Sequence, residues 1–359
     1  MTSASGGQSG LVNVKRRTVL SALTATAMGA LLEGSVTGSA RGHTIAQAGT
    51  PAAGQRRFET SEVEVPGNTV FVRRYGRGPA ILMVHGFPRT SLMWRFLAPE
   101  FAENHTVICA DLRAYGRSGT PASTDDHFPY SKRAMAKELV DMMIALGFPT
   151  FALVGHDRGG RVAYRAALDN PSIVTAVAVL DIVPTLEVWD RADARLTLSF
   201  WPFSLLAQPE PLPERLILAA PDAVVDNALS NWGTPPETFP SALRHAYINA
   251  LSDPAHVHAI CEEYRAAASL DRAHDEADLK AGRQIACPLL ALWSGAGSLA
   301  SWYENDGGPL SLWRRWAAHV HGRPVEGGHF FPEEHPQSTA ELIRCFLLGD
   351  GGVGKQAGA

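Results

Sequence analysis

Residues 151–161 read Phe-Ala-Leu-Val-Gly-His-Asp-Arg-Gly-Gly-Arg. The apolar run Phe151 to Val154 suits a strand buried on both faces, and residues 159–168 continue as a helix. Between the two lies Asp157, with Gly155 and Gly159 on either side. A strand that turns sharply into a helix has a crowded backbone with no room for side chains at those flanking positions. This spacing therefore lifts an acidic side chain onto the crest of a tight turn. The plainer reading is a surface loop whose aspartate caps the helix.

Outward from the turn, strand-type and helix-type segments alternate. Upstream, Glu62 to Val65, the turn Pro66-Gly67-Asn68 and the following TVFVRRY read as a hairpin. Ile81 to Val84, ending at His85-Gly86, and Thr106 to Ala110, ending at Asp111, read as buried strands. Between Ser131 as N-cap and Gly147 as C-cap, Met135, Leu139, Met142, Met143 and Leu146 follow helical spacing. Downstream, Thr175 to Leu180 is a strand that stops at Asp181. The rhythm then breaks near Pro184: residues 185–275 carry prolines, aromatics and helical stretches without strands. It returns at Pro288 to Trp293 and at Pro324-Val325, and closes with an amphipathic segment from Ser338 to Leu348.

The expected fold class is α/β, a mostly parallel sheet flanked by helices with a helical cap inserted after the sixth strand. The expected divisions are a core over 55–183, a cap over 184–275, a second core part over 276–350 and a disordered Gly-rich tail over 351–359.

Composition limits the function. The 359 residues are 45% hydrophobic and 19% charged with a net charge of −4, which excludes a disordered chain and a strongly basic nucleic-acid binder. Cys109, Cys261, Cys287 and Cys345 show no CxxC spacing and are read as core thiols. At the N-terminus, Lys15, Arg16 and Arg17 precede a mildly apolar run from Thr18 to Leu32 that is too short to span a bilayer. With Ala46-Gln47-Ala48 beyond it, residues 1–48 resemble a twin-arginine export signal, which implies a periplasmic or extracellular protein with no membrane segment after cleavage. Cleavage after Ala48 removes four basic residues and one acidic one, taking the formal charge from −4 to −7.

The turn at Asp157 resembles the nucleophile elbow of the α/β-hydrolase fold, with aspartate in place of serine. His85-Gly86-Phe87-Pro88 stands where that fold has its oxyanion loop, and Asp181 and His329 complete its order of nucleophile, acid and histidine. A carboxylate nucleophile suits displacement at saturated carbon, giving an ester between enzyme and substrate. Water activated by His329, with Asp181 orienting the imidazole, would then attack the ester carbonyl. The backbone N–H groups of Phe87 and Arg158 are the candidate oxyanion donors, each worth roughly 3 kcal/mol. Dehalogenation and epoxide opening both fit. Arg158 and Arg161, one helical turn apart, favour a substrate carboxylate, unless Arg161 is a surface residue paired with an acid.

From about Phe71 to Leu348 the chain resembles the fluoroacetate (haloacetate) dehalogenase family. The matching stretches are HGFPRTSLMW, ADLRAYGRS, YSKRAMAKEL, GHDRGGRVAYRAALD, AVLDIVPT, LAQPEPLPE, CEEYRA, LALW and GGHFFPEE. The resemblance implies Asp157 as nucleophile, His329 as base, Asp181 as its partner, Arg158 and Arg161 on the substrate carboxylate and Tyr247 on the halide. In the family a His-Trp pair that donates to departing fluoride precedes the S-x-L-A-Q-P stretch. Here Pro202 and Phe203 hold those places and Trp201 lies beside them. Neither proline nor phenylalanine has a side-chain donor, so chloroacetate or bromoacetate is expected to react faster than fluoroacetate.

The substrate-binding set is thus Arg158, Arg161, Tyr247, Phe87, Trp201 and Phe203. The alternative is an epoxide hydrolase using Asp157 with cap tyrosines Tyr247 and Tyr264; a catalytically silent binding protein is the third reading. His156 and His85 are read as packing and loop-shaping residues, Asp111 and Arg113 as structural, and Glu333-Glu334-His335 as a solvated helix start. No cofactor and no metal are implied. The partner expected is a small molecule bearing a carboxylate, with no nucleic acid, and a homodimer is left open.

Overall fold

The structure, a computed structural model, describes residues 58–349. The export-type segment over 1–48 and the tail over 351–359 lie outside the described residues. Eight strands form one sheet: β1 (Glu59–Val65), β2 (Asn68–Tyr75), β3 (Ala80–Val84), β4 (Thr106–Ala110), β5 (Phe151–His156), β6 (Val174–Leu180), β7 (Leu289–Ser294) and β8 (Val320–Val325). Their order is β1-β2-β4-β3-β5-β6-β7-β8. The β1–β2 and β2–β4 pairings are antiparallel, and every later pairing is parallel.

In β3, β4 and β5 every residue is buried, because helices cover both faces of the sheet. Side chains alternate between the two faces. Leu82 and Val84 pack with Met135 and Leu139 of helix Lys132–Ala145 on one side, whereas Ile81 and Met83 pack with Phe101, Ala340 and Ile343 on the other. Helix Lys132–Ala145 starts where the sequence predicts, with the Ser131 side chain accepting from Ala134 N–H. Gly147 follows its end at φ 88°, a left-handed position that glycine adopts without strain.

β8 is longer than the sequence suggests. Only Pro324-Val325 is read as strand from composition, but the strand begins at Val320. It lies at the edge of the sheet with half its residues exposed, so His321, Arg323 and Pro324 break the apolar run that marks a buried strand.

Between β6 and β7 the chain leaves the sheet for a series of helices from Thr185–Asp190 to Leu270–Lys280. The expected division at residue 275 falls inside the last of these. Asp275 accepts from the Tyr164 hydroxyl (2.7 Å), and Asp275 and Asp278 both pair with Arg165 of helix Arg158–Asp169. Cys109, Cys261 and Cys287 are buried and Cys345 half-buried, all as free thiols.

Candidate active site

β5 passes into helix Arg158–Asp169 through Asp157, whose backbone sits at φ 49° and ψ −119°. A side chain at Gly155 would run into the carbonyl oxygen of Gly159, and one at Gly159 into the carbonyls of Val84 and His85. The two glycines thus let the turn close against β3. A non-glycine residue at positive φ costs about 1–3 kcal/mol, and the main-chain bond from Asp157 N–H to Leu180 (3.2 Å) helps to hold it.

Phe87 N–H donates to Asp157 Oδ1 at 2.9 Å. Among the described residues no hydrogen bond engages Oδ2. Asp181, at φ 54° just after β6, accepts from Ser294 N–H through Oδ1 (2.8 Å) and bonds His329 Nδ1 through Oδ2 (2.5 Å). His329 Nε2 is buried and has no hydrogen-bond partner among the described residues. The predicted acid and histidine, 148 residues apart, are therefore in direct contact. The ring of His156, the residue before Asp157, lies 4.6 Å from that of His329.

The two arginines are buried in different ways. Arg158 Nε donates to Glu263 Oε1 (3.0 Å), and its guanidinium lies 3.8 Å from the Tyr264 ring. Burial works against its charge, but the surrounding groups, Glu263 first, lift its pKa above the ordinary arginine value. Glu263 is itself held down to about 2: burial opposes this, and Arg158 and Lys132 prevail. Arg161 donates only to the Val183 carbonyl (3.1 Å) and Thr185 Oγ1 (3.3 Å), with no ion pair among the described residues. Burial and then the nearby Arg158 charge lower its pKa. Arg158 Nη1 and Arg161 Nε are buried donors without partners among the described residues. A surface Arg161 paired with an acid does not occur.

Aromatic rings line the same region. Phe87 meets Trp201 (6.4 Å) and Tyr264 (6.0 Å) edge-on, and Phe203 lies 6.1 Å from Tyr264 and 5.1 Å from the Arg161 guanidinium. Trp201 gives its indole N–H to Asn227 (2.7 Å) and so does not offer it to a ligand.

Tyr247 is buried, and its hydroxyl donates to Glu333 Oε1 at 3.5 Å, near the charges of Arg89 and Arg95. Tyr264 occupies the place against Arg158, and burial together with the Asp157 charge keeps its hydroxyl protonated. Both tyrosines sit on cap helices, Ser241–Ala250 and Pro254–Ala268, and only the packing of the cap distinguishes them.

Sequence reasoning also missed two polar groups. Glu263 lies in the quoted CEEYRA stretch, where nothing in the spacing marks it as the partner of Arg158. Glu333, expected in a solvated helix start, is buried and paired with Arg89 (3.1 Å) and Arg95 (2.5 Å). Arg89 also donates to His156 Nδ1 (2.5 Å); since arginine only donates, Nε2 carries the imidazole proton and donates to the His329 carbonyl (2.7 Å). Burial and Arg89 hold the His156 pKa well below the ordinary value. His85 accepts from Leu112 N–H through Nε2 (2.9 Å), and burial pushes its pKa down to about 4. Among the described residues, no group of three or more His, Cys, Asp or Glu side chains is placed to hold a metal ion.

A family model for the alpha/beta hydrolase fold matches residues 79–207. A fluoroacetate dehalogenase from Burkholderia sp. is 40% identical over 291 residues, covering 81% of this chain and 94% of that protein. A soluble epoxide hydrolase from Corynebacterium sp. is 29% identical, covering 76% of this chain and 91% of its own length. Among solved structures, an alpha/beta hydrolase from Nostoc sp. superposes with a TM-score of 0.78 at 41% identity, over 81% of this chain and 98% of that one.

Proposed function

The chain belongs to the fluoroacetate dehalogenase family of α/β hydrolases, and from that premise we propose that it hydrolyses short 2-haloacids through an ester on Asp157. Two buried guanidiniums beside Asp157 with unpartnered N–H groups carry this reading. They match the carboxylate of a haloacid and have no use for a neutral epoxide.

In the first step Asp157 Oδ2 attacks the carbon bearing the halogen. The O–C bond forms as the C–X bond breaks, and the halide leaves with the bonding electrons. Asp157 Oδ1, already held by Phe87 N–H at 2.9 Å, becomes the ester carbonyl oxygen. In the second step His329 Nε2 takes a proton from water, whose oxygen adds to the carbonyl carbon of Asp157. Negative charge then develops on Oδ1, where Phe87 N–H already points. Asp181, bonded to His329 Nδ1, stabilises the imidazolium. Collapse breaks the Cγ–Oδ2 bond of Asp157: Oδ2 takes the proton from His329 and leaves as the hydroxyl of the product, and the water oxygen remains in the regenerated carboxylate. The products are a 2-hydroxy acid, halide and one proton.

Fluoride needs the most help to leave. Pro202 and Phe203 cannot donate, and the Trp201 N–H is committed to Asn227. The expected order is therefore chloroacetate or bromoacetate ahead of fluoroacetate. Ion chromatography of halide released from these three acids checks it, with Asp157→Asn as an inactive control. Fluoroacetate as the best substrate would overturn the order; equal inactivity of wild type and control on all three would overturn the haloacid reading. Epoxide opening by paired tyrosines is disfavoured because the Tyr247 hydroxyl is engaged with Glu333, whereas the Tyr264 ring lies against Arg158. Styrene oxide is the control substrate.

A further inference from the structure

His329 is located from two sides. Its imidazole is fixed by Asp181 of the core, and its main chain is tied elsewhere. Three consecutive N–H groups, those of Gly328, His329 and Phe330, all have partners. Gly328 donates to Glu334 (2.9 Å), His329 to the Trp232 carbonyl (2.8 Å) and Phe330 to Thr234 Oγ1 (3.1 Å). Trp232 and Thr234 belong to the cap. The Thr234 hydroxyl in turn donates to Glu334 Oε1 (2.6 Å), the same oxygen that receives Gly328 N–H. Gly233 and Gly328 pack backbone to backbone, so closely that a side chain on Gly328 would strike Gly233 and Thr234. Thr234 is buried, and the Trp232 ring stands edge-on to the His329 imidazole at 5.2 Å.

The cap segment 232–234 is therefore seated on the loop that carries the base. We propose that Thr234 is a positioning residue for His329, through which the seating of the cap sets the rate of ester hydrolysis but not the rate of halide displacement. The inference rests on the two-step reading above. Displacement uses Asp157 Oδ2 and needs no base, whereas hydrolysis needs His329 Nε2 aimed at a water. A hydroxyl that both accepts from Phe330 N–H and donates to Glu334 ties the loop at two points, and its loss frees the loop at both.

The test compares wild type with Thr234→Val, which keeps the shape and removes the hydroxyl, and Thr234→Ser, which keeps the hydroxyl. One readout needs no substrate: the downfield proton resonance of the His329–Asp181 bond. It should broaden or vanish in the valine variant and return with serine. The second readout is rapid mixing with chloroacetate, following halide release and, by intact-protein mass spectrometry, the ester on Asp157. In the valine variant the halide burst should stay within about twofold of wild type while ester breakdown slows by about tenfold or more, so that ester accumulates. Serine should restore breakdown. A valine variant that keeps the wild-type resonance overturns the proposal, as does one in which burst and breakdown slow together. If the wild-type protein releases no halide, the dehalogenase reading fails by itself, and the resonance alone decides the role of Thr234.

Discussion

Arg158 and Arg161 lie three residues apart on one helix, yet removing them should have opposite consequences. Arg158 shares buried Glu263 with Lys132, so Arg158→Gln removes one of the two cations on that carboxylate and should cost about 1.5–3 kcal/mol of stability, read from the urea midpoint. Arg161 has no anionic partner among the described residues, and Arg161→Gln should leave the midpoint nearly unchanged. Its loss should instead raise KM for chloroacetate by about tenfold or more, the worth of a charge-assisted hydrogen bond. An unchanged KM in Arg161→Gln would refute a carboxylate site at that residue. Asp157, Asp181 and His329 could be named from the sequence because each ends a recognisable strand or loop in the fold's order. Glu263 could not, because it reaches Arg158 across 105 residues of chain through a cap whose packing has no periodic signature.

At the level of elements, the turn that follows β3 is a pH-sensitive joint. His85 sits there as a neutral ring, accepting from Leu112 N–H, a role that protonation would abolish. Its pKa is pushed down to about 4 in the fold, against about 6.5 in the unfolded chain. The unfolded state therefore takes up the proton first as the pH falls. The stabilisation is complete above pH 6.5 and is lost progressively between about 6.5 and 4, amounting to about 3 kcal/mol. Buried His156, also depressed, acts in the same direction. Urea unfolding at pH 8 and pH 4.5 should show this loss in wild type and a smaller one in His85→Gln; identical losses would rule out the assignment. The buried strands β3 and β5 were legible as unbroken apolar runs, whereas β8 was mostly hidden because an edge strand needs no such run.

In the whole molecule, cap and sheet should open as one body, because they share buried charges. Glu263 of the cap pairs with Arg158 and with Lys132 (2.8 Å) of the core, and accepts from the Tyr115 hydroxyl (2.8 Å). Arg165 is paired with Asp275 and Asp278 of the last helix before β7. Lifting the cap alone would strand several charges out of water. Amide hydrogen exchange in helices Pro254–Ala268 and Arg158–Asp169 should therefore report the same opening free energy. A cap helix that exchanges by a much easier local opening would contradict this. The division into sheet and inserted helices was legible from the change in rhythm near Pro184, but the shared ion pairs were not, since charged residues in a helical run look like a solvated face.

The thiols make the molecule convenient to handle. Burial pushes Cys109 and Cys261 up, and Cys287 up to about 11, so none of the three offers a ready thiolate at neutral pH. Cys345, half-buried on helix Pro336–Leu347, is the one left for a maleimide dye. A single fluorophore can therefore be attached to the native chain on the helix that packs the face of the sheet carrying Ile81 and Met83, with no cysteine removed beforehand.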